Sequence, residues 1–316
     1  MNATASHHQT PPEEAARLMR LATYVSVSVA ATLIVAKLIA WFMTDSISLL
    51  ATLVDSVLDA LAASINLFAV RHALLPADKQ HRFGHGKAEA LAGLGQATFI
   101  AGSSGFLILE SFNRFINPQP LGAVGVGVGV MIFSIIATLG LLMVQRHVIE
   151  KTQSTAITAD SLHYKTDLYV NSSVILALVL AAYGGWSGFD ALFALGIGTY
   201  ILFSAWEIIQ HAMHDLMDHE LSDDERQSIK AIVLSHPQSR GIHDLRTRRS
   251  GITAFIQLHL ELDDELTLTQ AHDISDEIEA MLLKNFASAE IIIHADPASL
   301  NEPLPEFLNP TESSAI

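Results

Sequence analysis

No cysteine occurs anywhere in the chain, so it forms no disulfide and offers no thiolate to a metal. Any transition metal bound here must be held by His, Asp and Glu. Charge is scarce as well: Asp, Glu, Lys and Arg make up 16% of the 316 residues, and 18 basic side chains face 33 acidic ones. The resulting net charge of −15 excludes a nucleic-acid binder, which needs concentrated Lys and Arg to meet phosphate. The first 20 residues, "MNATASHHQTPPEEAARLMR", lack the basic n-region and small-residue cleavage site of a signal peptide. The first apolar run is therefore expected to stay as a spanning helix. What the chain has in quantity is apolar side chains: half of the residues are hydrophobic, and the mean hydropathy is +0.35. That composition points to a polytopic membrane protein.

Six stretches are long and apolar enough to cross a bilayer: roughly 20–43, 47–72, 88–112, 120–145, 160–183 and 189–211. The breaks "MTDS", "NPQP" and "YGGWSG" carry turn chemistry, and "RHALLPADKQHRFGHGK" is a longer polar connection. Arg17, Arg20, Arg71, Lys79, Arg82, Lys87, Arg146 and Lys151 flank one side of the spans, whereas Arg114 stands alone on the other. The positive-inside rule then puts both termini in the cytoplasm.

After about residue 212 the pattern turns soluble. "SDDERQSIKAIVL" opens with Ser222 and Glu225 at capping-box spacing and reads as a helix. A hairpin is expected around Ser250-Gly251. In its second strand Ile252, Ala254, Ile256, Leu258, Leu260 and Leu262 share one face, which leaves His259 on the other. "TQAHDISDEIEAMLLKNF" reads as an amphipathic helix, and "EIIIHADP" as a short strand stopped by Pro297. The expected organisation is a loose N-terminus (1–14), a six-helix membrane domain (15–212), a small αββαβ domain of the α+β class (213–298) and a loose tail (299–316).

Three clusters carry the chemistry. His163 and Asp167, in "DSLHYKTDLYV", are four residues apart and share a helix face; Asp55 and Asp59, in "LVDSVLDAL", repeat that spacing in the second span. Two carboxylates in one spanning helix repel unless a cation or proton lies between them. Brought together, the two pairs make a four-ligand N/O set suited to Zn²⁺, with no soft sulfur to favour Cu(I). The competing reading is interhelical hydrogen bonding or a proton relay without metal. In the polar loop, Asp78, His81 and His85 could bind a metal with water as fourth ligand, or be a solvated loop. In the soluble domain His243, His259, His272, His294 and Asp296 could converge on one or two metals with Asp296 bridging, or be histidines of a polar surface. His294 and Asp296 share a strand face. Lys37 can be read as snorkelling, and Glu89 and Gln96 as lining a cavity. An intramembrane metalloenzyme would want a motif such as HExxH, which is absent, and nothing after residue 212 resembles a signalling module.

Six spans, "DSVLD", "HYKTD", "FGHGKAEALA", and "HDLRTRRSG" through "IIIHADP", in this order, resemble the cation diffusion facilitator family over roughly residues 15–300, and within it the bacterial zinc–proton antiporters. The resemblance implies a homodimer in the bacterial inner membrane whose soluble domains have a metallochaperone-like fold and bind zinc. It implies a transport site of Asp55, Asp59, His163 and Asp167 worked by alternating access, with protons as counter-ion. It further implies a loop site of Asp78, His81 and His85 and a domain site of His243, His259, His294 and Asp296, with His272 close by. Lys87 and Asp218 match a charge interlock at the dimer seam. The two-Asp plus His-Asp pattern is associated with zinc and cadmium; iron, cobalt or manganese export is the alternative, and a metal sensor a more distant one. Ala295 stands where relatives often carry a polar side chain, and no His-rich loop separates spans four and five.

Overall fold

The computed structural model describes residues 10–44, 47–116, 126–184 and 189–300. The "NPQP" turn, most of "YGGWSG" and the two terminal segments expected to be loose lie wholly or largely outside the described residues. The chain divides into two units, Glu13–Leu216 and the part from Met217 onward.

The first unit is built from six helices of 27 to 33 residues: α1 (Pro12–Thr44), α2 (Ile47–Ala73), α3 (Lys87–Ile116), α4 (Val126–Thr152), α5 (Thr155–Gly184) and α6 (Phe189–Leu216). Among the described residues five of these, all but α5, are long and apolar enough to cross a membrane. α5 is as long as α3 but carries Asp160, His163, Lys165 and Asp167 in its first half. Most helices start or end beyond the apolar stretches that announce them, because hydropathy marks only the part that matches hydrocarbon. α1 begins at Pro12, whose fixed φ suits a first helical position, with Glu13 and Glu14 facing the positive end of the helix dipole. Large apolar side chains such as Phe68, Phe106, Leu109, Met143 and Phe203 point outward, as lipid-facing surfaces require. Small residues fill the interior: Ala97, Ala159 and Ala205 pack with Ile100, Leu162 and Ile201 between α3, α5 and α6. At Gly93 the backbones of α3 and α5 come so close that a Cβ would lie 2.8 Å from the Thr155 methyl. Such close approach is how helices associate where no hydrophobic effect drives them together.

The second unit runs α7 (Asp223–Leu234), β1 (Gly241–Ser250), β2 (Thr253–Leu262), α8 (Leu268–Leu283) and β3 (Glu290–Pro297), the expected αββαβ order. The sheet is ordered β1-β2-β3, antiparallel between β1 and β2 and parallel between β2 and β3. Ser222 caps α7 through a reciprocal box with Glu225, and Thr267 caps α8 in the same way with Gln270. The hairpin turns on Gly251, whose φ of 58° is one that side chains resist. Ala254, Ile256, Leu258, Leu260 and Leu262 form the buried sheet face, covered by Ile229 and Val233 of α7 and Ile274, Ile278 and Leu282 of α8. On the other face Phe255 is buried under the Arg248 guanidinium, 4.0 Å from its ring centre.

Candidate metal centres

In the membrane unit α2 presents Asp59 to α5, which presents His163 and Asp167 from adjacent turns. One ligand atom from each of the three lies within 4.8 Å of the others. His163 Nε2 is 3.0 Å from Asp59 Oδ1, and the two side chains are 13% and 18% exposed. Asp55 is not part of this group; it is exposed and lies one turn earlier on α2, about 6 Å along the axis. The fold thus assembles three of the four expected ligands, with two carboxylates and an imidazole converging on one point.

One turn before His163, Asp160 is buried and its carboxylate accepts three hydrogen bonds from three other helices. Ser26 Oγ on α1 donates at 2.7 Å, Gln145 Nε2 on α4 at 2.7 Å and Gln96 Nε2 on α3 at 3.2 Å. Gln96, expected to line a cavity, is instead a donor in this cluster. Glu89, the other such candidate, is buried and accepts from the Ser154 hydroxyl and the Ala156 and Thr155 amides at the start of α5. Both carboxylates fix α5, the helix that carries His163 and Asp167. The sequence signal for Asp160 was a carboxylate within the spanning stretch, and nothing in the spacing named its partners.

The loop between α2 and α3 brings Asp78, His81 and His85 within 4.8 Å of one another. Asp78 is 3.4 Å from each imidazole. Its carboxyl is held below the usual range by backbone N–H donors from His81 and Gln80. Gly84, at φ 76°, turns the chain so that His85 points back toward Asp78. The His85 side chain is 6% exposed, yet its Nδ1 is buried with no hydrogen-bond partner. A buried imidazole nitrogen without a partner is costly, and a metal is one way to satisfy it. His72, at the end of α2, stacks edge-on against His85 with ring centres 4.7 Å apart, and the sequence did not single it out.

In the second unit the strand register builds the third cluster. His243, His259 and His294 are direct partners across β1, β2 and β3 and so form a row on the face opposite the helices. Adjacent ring centres are 4.9 and 4.7 Å apart. Asp296, two residues after His294 and 5% exposed, reaches all three: His259 Nδ1 at 2.7 Å, His294 Nε2 at 3.1 Å and His243 Nε2 at 3.5 Å. Glu261 holds the other nitrogen of His243 at 3.0 Å, the outer contact that orients a ligating imidazole. His243 Nε2 is buried with no hydrogen bond, so the donor set fits a divalent metal. His272 is not brought to this group. It lies on α8, across the sheet, 68% exposed and 3.6 Å from Asp276. A helix that covers one face of a sheet cannot supply a ligand to the other. The sequence missed Asp244, which a bulge in β1 tips toward the site at φ 42°, 3.9 Å from His259. Asp244, Arg246, Gln257, His259 and His294 line an open cavity of about 330 Å³ beside the row.

Of the expected interlock pair, Lys87 Nζ donates to the Leu216 carbonyl at 3.2 Å, and Asp218 accepts from Arg248 at 3.3 Å.

Residues 23–217 match the family model described as the cation efflux transmembrane domain, and residues 221–298 the cation efflux protein cytoplasmic domain. The chain is 49% identical over 284 residues to the cation-efflux pump FieF of Klebsiella pneumoniae, covering 90% of this chain and 94% of that protein. The figures are the same for FieF of Salmonella agona. Among solved structures, the metal-bound C-terminal domain of the CzcD transporter from Thermotoga maritima is 27% identical, covers 26% of this chain and 100% of that one, and superposes with a TM-score of 0.24.

Proposed function

This chain belongs to the cation diffusion facilitator family, in its FieF-type branch, and from that premise we propose that it exports Zn²⁺ from the cytoplasm in exchange for protons. Divalent-metal efflux follows from the family, and marks the chain as a transporter rather than an enzyme. Zinc and the proton are our reading of the site. The observation that carries it is the convergence of Asp59, His163 and Asp167, with His163 Nε2 3.0 Å from Asp59.

One imidazole among carboxylates is a borderline donor set, which suits Zn²⁺ and Cd²⁺ better than an all-oxygen site would. Asp55, a turn away on α2, supplies the fourth ligand when the helices close on the ion. The bound ion needs a neutral imidazole and ionised carboxylates, so loading metal releases protons and protonation releases metal. Imidazole titrates near pH 6.5 when unperturbed, where proton and metal compete under physiological conditions. The site loads Zn²⁺ facing the cytoplasm, the helices rearrange, and protons from outside displace the ion. The protein works as a homodimer in the bacterial inner membrane with both termini cytoplasmic. The loop cluster and the histidine row hold resident zinc that steadies or regulates the assembly, and Lys87 with Asp218 guards the dimer seam.

The test is flux in proteoliposomes of Zn²⁺, Cd²⁺, Fe²⁺ and Mn²⁺, with and without a pH gradient, for the native protein and Asp59→Asn. Gradient-driven Zn²⁺ flux that vanishes in the variant supports the reading. Flux of another metal in preference to zinc replaces the cargo, and flux indifferent to the gradient removes the antiport.

A further inference from the structure

Lys37 lies in the body of α1, a position where an ammonium is costly unless it serves the interior of the bundle. It does not run out toward either end of the helix. Its Nζ donates to the Thr52 carbonyl at 3.0 Å and to Ser56 Oγ at 2.6 Å, both on α2. Ser56 is itself buried, and it stands next to Asp55 and one turn before Asp59. The ammonium is thus pinned to the helix that carries two of the expected ligands. Through Ser56 it is held one residue from Asp55 and one turn from Asp59, without donating to either.

We propose that Lys37 is a fixed counter-charge of the transport site, tuning how tightly the site holds a divalent cation and lowering the net negative charge that the loaded site carries as the helices rearrange around it. Asp55, Asp59 and Asp167 bring three negative charges, and the Asp160 carboxylate, held by its own three donors one turn from His163, a fourth; a bound divalent ion balances two of them and Lys37 one more. Rearranging helices around net charge in a low-dielectric region is expensive, so the rearrangement is faster the less net charge the loaded site carries. The same positive charge weakens metal binding, which speeds release of the ion. Lys37 therefore acts through charge and not as a ligand. The inference rests on the reading of Asp59, His163 and Asp167 as the transport site.

The test uses the full chain in nanodiscs and proteoliposomes, with Zn²⁺ and Cd²⁺ as probes. Binding is measured by equilibrium dialysis in a background of His85→Ala and Asp296→Asn, which silences the cytoplasmic clusters; flux is measured in the native background. A unit charge about one helix diameter from the ion, at an effective dielectric of about 20, changes divalent affinity by at least about tenfold. Lys37→Met is expected to bind metal about tenfold tighter or more while its maximal transport rate falls about tenfold. Lys37→Arg, which keeps the charge, is expected to restore both. Loss of packing alone would slow transport without tightening binding, and Arg would rescue no better than Met. If Lys37→Met does not fold, Lys37→Gln, which keeps a donor for Thr52 and Ser56, makes the same neutral test. Unchanged or weaker metal binding in the neutral variant overturns the proposal. Asp59→Asn in the same assays separates the two failures. If Asp59→Asn binds and transports like the native protein, the site reading fails; if it is inactive and the Lys37 variants keep native affinity, only the counter-charge fails.

Discussion

Replacing Asp296 by Asn keeps the size of a buried side chain and removes the one anionic group shared by three histidines. In the native fold its two oxygens lie 2.7, 3.1 and 3.5 Å from His259, His294 and His243, whereas Glu261 reaches only His243, at 3.0 Å, and Asp244 only His259, at 3.9 Å. The variant leaves the metal the three imidazoles and the more distant Asp244, 3.9 Å from His259. Altering even the groups behind a ligand lowers metal affinity about 10- to 100-fold, so losing the carboxylate itself should weaken binding by at least about 100-fold. That converts directly to stability. At a free zinc concentration about 100 times the native dissociation constant, the native protein gains about 2.7 kcal/mol, whereas a site about 100-fold weaker gains only about 0.4 kcal/mol. Unfolding of each protein without metal is the reference from which its zinc-induced gain is read. The measurement is thermal unfolding of the full chain in detergent, with and without zinc, following the second unit by hydrogen exchange at β1 to β3. An equal zinc-induced gain in protection for Asp296→Asn would refute the assignment of the row as a metal site.

Asp160→Ala removes a carboxylate that accepts from Ser26, Gln96 and Gln145 and should cost about 2–4 kcal/mol, given about 1–3 kcal/mol for each buried donor left unmet and partial rescue among the glutamines. Thermal unfolding in detergent reads this loss, and Asp160→Asn should cost less. His163→Asp should weaken the dependence of zinc flux on the pH gradient and admit manganese, as measured in the proteoliposome assay; an unchanged gradient dependence counts against His163 as the proton-sensitive ligand. Ser222→Ala breaks the capping box of α7 and should cost about 1 kcal/mol, seen as faster exchange of the first-turn amides of that helix with α8 unaffected. The Asp78 carboxyl is depressed by the His81 and Gln80 amides, so the turn it closes is stabilised above the unfolded carboxylate pKa of about 3.9 and loses that support only as pH falls through the lower folded value. Exchange protection at those two amides should therefore persist down to about pH 4, and in Asp78→Ala it should be absent at pH 7.

Much of this was legible in the sequence because its signals are local. Hydropathy located the helices, alternation in β2 separated Leu258 from His259, and the four-residue spacing put His163 and Asp167 on one face. What was hidden depends on how distant elements meet. Asp160 announces itself as a buried carboxylate, but its donors come from 134, 64 and 15 residues away on three different helices, and no local rule pairs them. Asp244 enters the histidine cluster only because β1 bulges, and a bulge shifts register without a clear mark in composition. His272 failed for the opposite reason. Its residue type suited the site, but the amphipathic pattern that makes α8 a cover for the apolar sheet face also carries it away from the polar one. Asp55 shares its spacing with Asp59, yet in this arrangement of the helices only Asp59 meets α5.

The row across the sheet also has a consequence for the order in which the protein is made. Its ligands come from three strands, and β3, which brings His294 and Asp296, is synthesised well after the hairpin that brings His243 and His259. β3 pairs in parallel with β2, so it docks only once α8 has formed and folded back across the sheet, a slower step than closing a local hairpin. A nascent chain thus exposes two of the histidines without the carboxylate that completes the set. On the proposal that the row holds a metal, its stable metallation is therefore a late event in biogenesis, and occupancy of the row reports that the sheet has been finished.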